Sequence, residues 1–291
     1  MKENLYDFGR FIKDHRLPHY YTIPRLKKIM LQVLEALDYI HSLHLIHCDI
    51  KPENIVIKSI SRCEVKLIDF GSSCFTSDNL TTYIQSRSYR APEVIIGYPY
   101  DTRIDIWSMG GVLAELHTGY VLFQNDSVPT MLARIAGILG NYPSHVIEKG
   151  KDGHKYFTYS NVVYERNDDD RKVSLIYPKK TSLANRLHLK NNIDDDDDLE
   201  FLDFVRELLN LDPLKRPTAR EALNHPWITN QLDVPLYVAI NPNNNDNGEE
   251  EDDDDEEDDD DEEDDDDDDD DDDIEKIDVY DDDDEDDNIS R

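Results

Sequence analysis

Apolar residues recur every three or four positions from Leu26 to Leu43, through Ile29, Met30, Val33, Leu34, Leu37 and Ile40. A stripe that wide predicts a helix buried in the centre of a domain. Thr22 and Pro24 stand where a cap and an early helical proline belong, so the helix is expected to begin there. Residues 3–14 set Leu5, Phe8, Phe11 and Ile12 among charges at helical spacing, which predicts a shorter amphipathic helix. Ile55-Val56-Ile57 and Val65-Lys66-Leu67-Ile68 flank a polar turn and read as a small β-hairpin. Asp105 to Leu116 predicts a second buried helix ending near Gly119, and residues 128–140 a further amphipathic segment. Residues 141–198 are polar and weakly patterned, so an insert with little regular structure is expected there. Helical signal returns at Leu199–Leu211 and Ala219–Leu223.

The pattern stops near Asn241, where the chain turns Asn-rich and then acidic. Such a composition buries too little apolar surface to offset an ordering entropy of ~1–2 kcal/mol per residue. The expected organisation is a folded body over 1–230, an Asn-rich linker over 231–248 and a disordered acidic tail over 249–291. Charge agrees with that division. The net charge of −36 is concentrated in residues 249–287, which hold 34 of the 67 acidic residues. Residues 1–248 are left near −4. A long block of like charge is expected to stay extended and to attract basic protein partners, an effect weakened by salt. It argues against direct binding of nucleic acid. Cys48, Cys63 and Cys74 are too few and too irregularly spaced for a disulfide framework or a zinc site, and suit reduced thiols in cytosol or nucleus. No apolar run reaches the ~18–20 residues of a membrane span, and the N-terminus has no signal-peptide core.

Chemistry concentrates at His47-Cys48-Asp49-Ile50-Lys51-Pro52-Glu53-Asn54. Phosphoryl transfer needs a carboxylate to hold the attacking hydroxyl, a cation near the moving phosphate, and oxygen ligands for Mg2+. Asp49, Lys51 and Asn54 meet those needs in that order. Asp69-Phe70-Gly71 follows the predicted hairpin, whose two strands would bring Asn54 and Asp69 together as Mg2+ ligands. His41, His44 and His47 lie three apart without a fourth ligand of suitable spacing, so His47 is read as bracing the loop.

HCDIKPEN at 47–54, DFG at 69–71 and APE at 91–93 stand in fixed order, followed by Asp105-x-Trp107-Ser108-x-Gly110 and Arg216. Residues 3–230 therefore resemble the C-terminal lobe of a eukaryotic protein kinase. The implied fold is mainly α, with a small β-hairpin, the N-terminal β-rich lobe missing and a disordered acidic tail. His-Cys-Asp in place of His-Arg-Asp, Ser72-Ser73-Cys74 after the DFG, and Tyr83-Ile84-Gln85-Ser86-Arg87-Ser88-Tyr89-Arg90 narrow the likeness. They resemble the dual-specificity tyrosine-regulated kinases, in the group that includes cyclin-dependent and MAP kinases. Where that family often has two tyrosines, this chain has Thr81 and Tyr83.

The resemblance implies that Asp49 orients the substrate hydroxyl and accepts its proton, and that Lys51 neutralises the transferring phosphate of ATP and favours serine or threonine substrates. Asn54 and Asp69 would hold Mg2+, and Val56 and Ile68 would floor the adenine. Asp105 would brace the catalytic loop, Glu93 would pair with Arg216, and Tyr83 would be autophosphorylated. Cys48 cannot hold a phosphorylated activation segment as the usual arginine does, so Arg87 and Arg90 are expected to bind phospho-Tyr83. Arg90 also resembles the residue that shapes a proline-accepting pocket, which implies Ser-Pro or Thr-Pro substrates.

A kinase also clamps its nucleotide with a Gly-rich loop, a strand lysine and a helix glutamate. None of the eleven glycines forms G-x-G-x-x-G. The expectation is a kinase half with little turnover on its own. The alternatives are a non-catalytic docking lobe, and an acidic chaperone of basic proteins resting on the tail alone.

Overall fold

Asn4 opens the first helix, α1 (Leu5–Asp14), by accepting the Asp7 amide on its side-chain oxygen at 2.8 Å. Leu5, Phe8 and Ile12 form its buried face. The computed structural model describes residues 3–15, 20–78, 81–124, 127–167, 172–189, 196–230 and 274–280. Helix α2 (Ile23–Ser42) buries the predicted stripe from Leu26 to Ile40. It delivers the chain to β1 (Leu45–Ile46), which pairs antiparallel with β4 (Cys74–Phe75). Between them β2 (Ile55–Ser59) and β3 (Glu64–Leu67) make the expected hairpin, with Ile55 opposite Leu67.

Five-residue α3 (Pro92–Ile96) leads to α4 (Arg103–Thr118), buried without interruption from Ile104 to Leu116. Helix α5 (Val128–Leu139) starts from a Ser127–Thr130 capping box. There follow α6 (Ser144–Lys149), α7 (Gly153–Tyr156), β5 (Val163–Asn167), β6 (Lys172–Pro178) and α8 (Leu183–Arg186). Helix α9 (Asp196–Leu208), then α10 (Ala219–Ala222) and α11 (Pro226–Thr229), complete the body. The last strand is β7 (Ile274–Tyr280). Gly110 on α4 permits close approach of α9, since a Cβ there would lie 2.7 Å from Leu209 Cδ2. Trp107 stacks on Phe123 at 5.5 Å, and Trp227 fills the core beside Phe201 and Phe204.

Two expectations are corrected. The segment 141–198 is not weakly structured: it carries α6, α7, the β5–β6 hairpin and α8, and buries Val163, Ile176, Leu183 and Leu187. Elements of four to seven residues are too short to produce a helical or strand period over a long window. The tail is not wholly without structure either. Residues 274–280 form β7 and add antiparallel to β6, giving a three-stranded sheet in the order β5-β6-β7. The seven-residue pattern Ile-Glu-Lys-Ile-Asp-Val-Tyr is hidden by the acids on either side. The predicted linker 231–248 and the remaining tail lie outside the described residues. Among the described residues, β-structure is confined to three small sheets, and no helix is long and apolar enough to cross a membrane.

Candidate active site

The loop after β1 is fixed from below by Asp105, on the first turn of α4. Its two carboxylate oxygens accept the backbone N–H groups of His47 at 2.8 Å and Cys48 at 3.0 Å. The same carboxylate lies 2.9 Å from His41 Nε2, and Asp105 is fully buried. A buried carboxylate with that many partners is a rigid anchor, because each partner lost would leave charge without solvation. Cys48 adopts φ 63°, a left-handed conformation unfavourable for a side-chain-bearing residue. Asp69 and Gln85 share that conformation, at 64° each, so three strained residues gather at one site. The Cys48 carbonyl accepts the Gln85 amide at 3.0 Å, which ties the loop to the segment after Tyr83. Cys48 Sγ lies 3.4 Å from Cys74 Sγ, and burial pushes the Cys48 thiol well up from its ordinary value.

Asp49, Lys51 and Asn54 converge. Lys51 Nζ lies 3.0 Å from Asp49 Oδ2, and Asn54 Nδ2 donates to Asp49 Oδ2 at 3.1 Å and to the Asp49 carbonyl at 2.7 Å. Ser86 completes the group: its hydroxyl donates to Asp49 Oδ1 at 2.8 Å and lies 3.2 Å from Lys51 Nζ. Burial pushes the Asp49 carboxyl up, but hydrogen bonds from Lys51, Ser86 and Asn54 outweigh it and hold the pKa below its ordinary value. The carboxylate is thus ionised near neutral pH and still partly open to solvent.

The β2–β3 hairpin joins this group to Asp69. The Ile68 amide donates to the Asn54 carbonyl at 2.9 Å, so the residue before Asp69 is bonded to Asn54. Asp69 is exposed, and one carboxylate oxygen accepts the Gly71 amide at 3.2 Å. Asn54 uses its amide nitrogen on Asp49, which leaves its side-chain oxygen as the atom a cation would take. That oxygen and the Asp69 carboxylate are hard donors, and the donor set fits Mg2+. His47 Nε2 lies 3.0 Å from the Ile68 carbonyl, and its ring meets Phe70 edge-on at 4.9 Å, so the histidine braces both loops. Val56 and Ile68 lie at the hairpin; Val56 is buried, whereas Ile68 is 39% exposed.

Beyond the hairpin, Tyr83 is 90% exposed and Arg87, four residues on, is exposed too. Arg90 turns inward, donating from Nε to the Ile84 carbonyl and from Nη2 to the Gln85 carbonyl, both at 2.8 Å. Gln85 is buried and holds α4 through Ser108 Oγ at 2.8 Å and the Ile104 carbonyl at 3.0 Å. Glu93 and Arg216 form a buried bidentate pair, with Arg216 Nη2 at 3.0 Å from Glu93 Oε2. Ser86 and Gln85 were not singled out in the sequence. Their only signal is position within the segment before Ala91-Pro92-Glu93, since their partners stand far away in the chain.

Residues 7–228 match the model of the protein kinase domain. Human dual specificity tyrosine-phosphorylation-regulated kinase 3 is 39% identical over 239 residues, 79% of this chain and 40% of that protein. Human dual specificity tyrosine-phosphorylation-regulated kinase 4 is 39% identical over 208 residues, 72% of this chain and 38% of its own length. Serine/threonine-protein kinase ppk15 of Schizosaccharomyces pombe is 37% identical over 226 residues, 70% of this chain and 42% of that protein. The chain spans about two fifths of the length of these curated relatives.

Proposed function

The chain belongs to the protein kinase family, within its dual-specificity tyrosine-regulated group, and from that membership we propose that its site transfers the γ-phosphate of ATP to serine or threonine hydroxyls of proteins. The observation that carries this reading is the Asp49 carboxylate, ionised and held by Lys51, Asn54 and Ser86. A substrate hydroxyl hydrogen-bonded to that carboxylate is aligned for attack and has an acceptor for its proton. Lys51, 3.0 Å from the same carboxylate, sits where negative charge gathers on the moving phosphoryl group. Asn54 and Asp69 would hold the metal, and Val56 and Ile68 would meet the adenine. When bound, Mg2+ would offset the negative charge of the nucleotide phosphates.

Preference for proline after the acceptor has a physical basis in Arg90. It donates to the carbonyls of Ile84 and Gln85, which weakens both as acceptors for an N–H of a substrate backbone. Proline has no N–H to satisfy and loses least there. Tyr83, exposed in the same segment, is the autophosphorylation site of this reading, and Arg87 with Arg90 would receive its phosphate. Turnover requires a nucleotide clamp in addition to residues 1–291, because no G-x-G-x-x-G occurs among them. The acidic run 249–273 adds a salt-sensitive attraction for basic proteins. Three free cysteines suit the cytosol or nucleus. The test is ATP-dependent phosphate transfer to Ser-Pro peptides, with Asp49→Asn alongside.

A further inference from the structure

Two strands alone make a marginal sheet, and an open strand edge invites pairing with whatever strand comes near. The β5–β6 hairpin packs against α5 and would leave the outer edge of β6 open. That edge is instead covered by β7 in an unbroken antiparallel register, from Lys172 opposite Tyr280 to Pro178 opposite Ile274. Lys276 Nζ reaches across the sheet to Glu165 Oε2 on β5 at 2.9 Å, and both side chains are partly solvent-accessible. Burial pushes the Glu165 carboxyl up, but the bonds from Lys276 and Ser127 hold it below its ordinary value.

Charge along the chain complements the same pairing. Arg171 and Lys172 stand at one end of β6, and Lys179 and Lys180 follow its other end. In sequence, 25 consecutive acids, 249–273, precede the strand Ile274–Tyr280, and seven more, 281–287, follow it. Acids on both flanks and bases at both ends make this match independent of strand direction, which the ladder itself sets.

We infer that the outer edge of β6 is a docking site for an extended protein segment with acidic flanks, and that residues 274–280 of the same chain are its resident occupant. The chain is therefore held in the body up to Asn230 and again at Ile274–Tyr280. Forty-three residues separate the two anchors, so the closure is permissive: doubling such a loop adds only about 0.6 kcal/mol. Occupancy is salt-sensitive through the flanks and through Lys276–Glu165, and an external strand of the same pattern competes for it. The inference does not rest on the chemistry proposed for Asp49.

The test is hydrogen exchange, read by mass spectrometry, on the full 291-residue chain and its Ile277→Pro/Asp278→Pro variant. Neighbouring residues of a strand aim their N–H groups to opposite sides, so the double change removes a ladder donor in either register. Amides of 172–177 should exchange at least about tenfold faster in the variant, with those of α2 unchanged. High salt should shift the wild type the same way, and dilution should leave it unaffected. Lys276→Glu should speed exchange at β6, and adding Glu165→Lys should restore it. Equal exchange at β6 in wild type and proline variant would overturn the inference, and protection that vanishes on dilution would assign the edge to a second copy instead.

Discussion

Ser86 donates its hydroxyl proton to Asp49 Oδ1 at 2.8 Å, although the two residues stand 37 positions apart. The contact makes the acid and the segment around Tyr83 one assembly, because Ser86 is flanked by Gln85, which holds α4, and Arg87. Replacing Ser86 by alanine removes one of the three side-chain donors around Asp49. A hydrogen bond to a charged group contributes ~1.5–3 kcal/mol, so phosphate transfer should fall at least about tenfold. Ser86→Thr keeps the hydroxyl and should retain most of the rate. Steady-state kinetics on an active form of the kinase separates the two.

The lowered pKa of Asp49 has a definite consequence for stability. Its folded pKa lies below the unfolded value of about 3.9, so its contribution is fully present above that pH and is lost as pH falls through the folded pKa. Lys51→Met removes the ammonium 3.0 Å away and should move the Asp49 titration upward, shrinking the acid-dependent part of stability. Carboxyl NMR titration and unfolding curves below pH ~5 check both effects.

Arg216 binds Glu93 in two places and also donates to the carbonyls of Asn210 and Arg103, all in the interior. Arg216→Met would leave Glu93 buried without its partner and should destabilise the protein by about 3–5 kcal/mol. Glu93→Leu in the Arg216→Met background should recover part of that loss. Denaturant unfolding of the three variants measures it.

Arg90 acts before any phosphate is present, since it holds the Ile84 and Gln85 carbonyls in the unmodified chain. Losing two hydrogen bonds at ~1 kcal/mol each should make proteolysis around residues 81–90 faster by roughly tenfold or more in Arg90→Ala. Limited proteolysis of the unphosphorylated protein reads this directly, and an unchanged rate would count against the bracing role.

What was legible in the sequence follows the length scale of each signal. The stripe from Leu26 to Ile40 and the run from Ile104 to Leu116 are long enough for periodicity to dictate helices, and both helices formed. His47–Asn54 and Asp69 were legible because their spacing along a loop and a hairpin reflects their spacing in space. Ser86 was not, since a serine in a Ser/Thr-rich stretch carries no local mark of a partner far upstream. The β5–β6 hairpin was missed because Val173-Ser174-Leu175-Ile176-Tyr177 is apolar at four of five positions and so shows no two-residue alternation. Strand β7 was missed for a related reason: composition averaged over the tail concealed Ile274–Tyr280.

The most direct measurement joins residues 1–291 behind an upstream lobe that carries a Gly-rich loop and strand lysine, taken from a human relative, and follows ATP- and Mg2+-dependent phosphorylation of a Ser-Pro peptide. The account predicts turnover by the fusion, little by residues 1–291 alone, and a loss of at least about 10³-fold in the Asp49→Asn fusion. A cooperatively folded fusion that transfers no phosphate, or transfers it equally well with Asn at position 49, would contradict it.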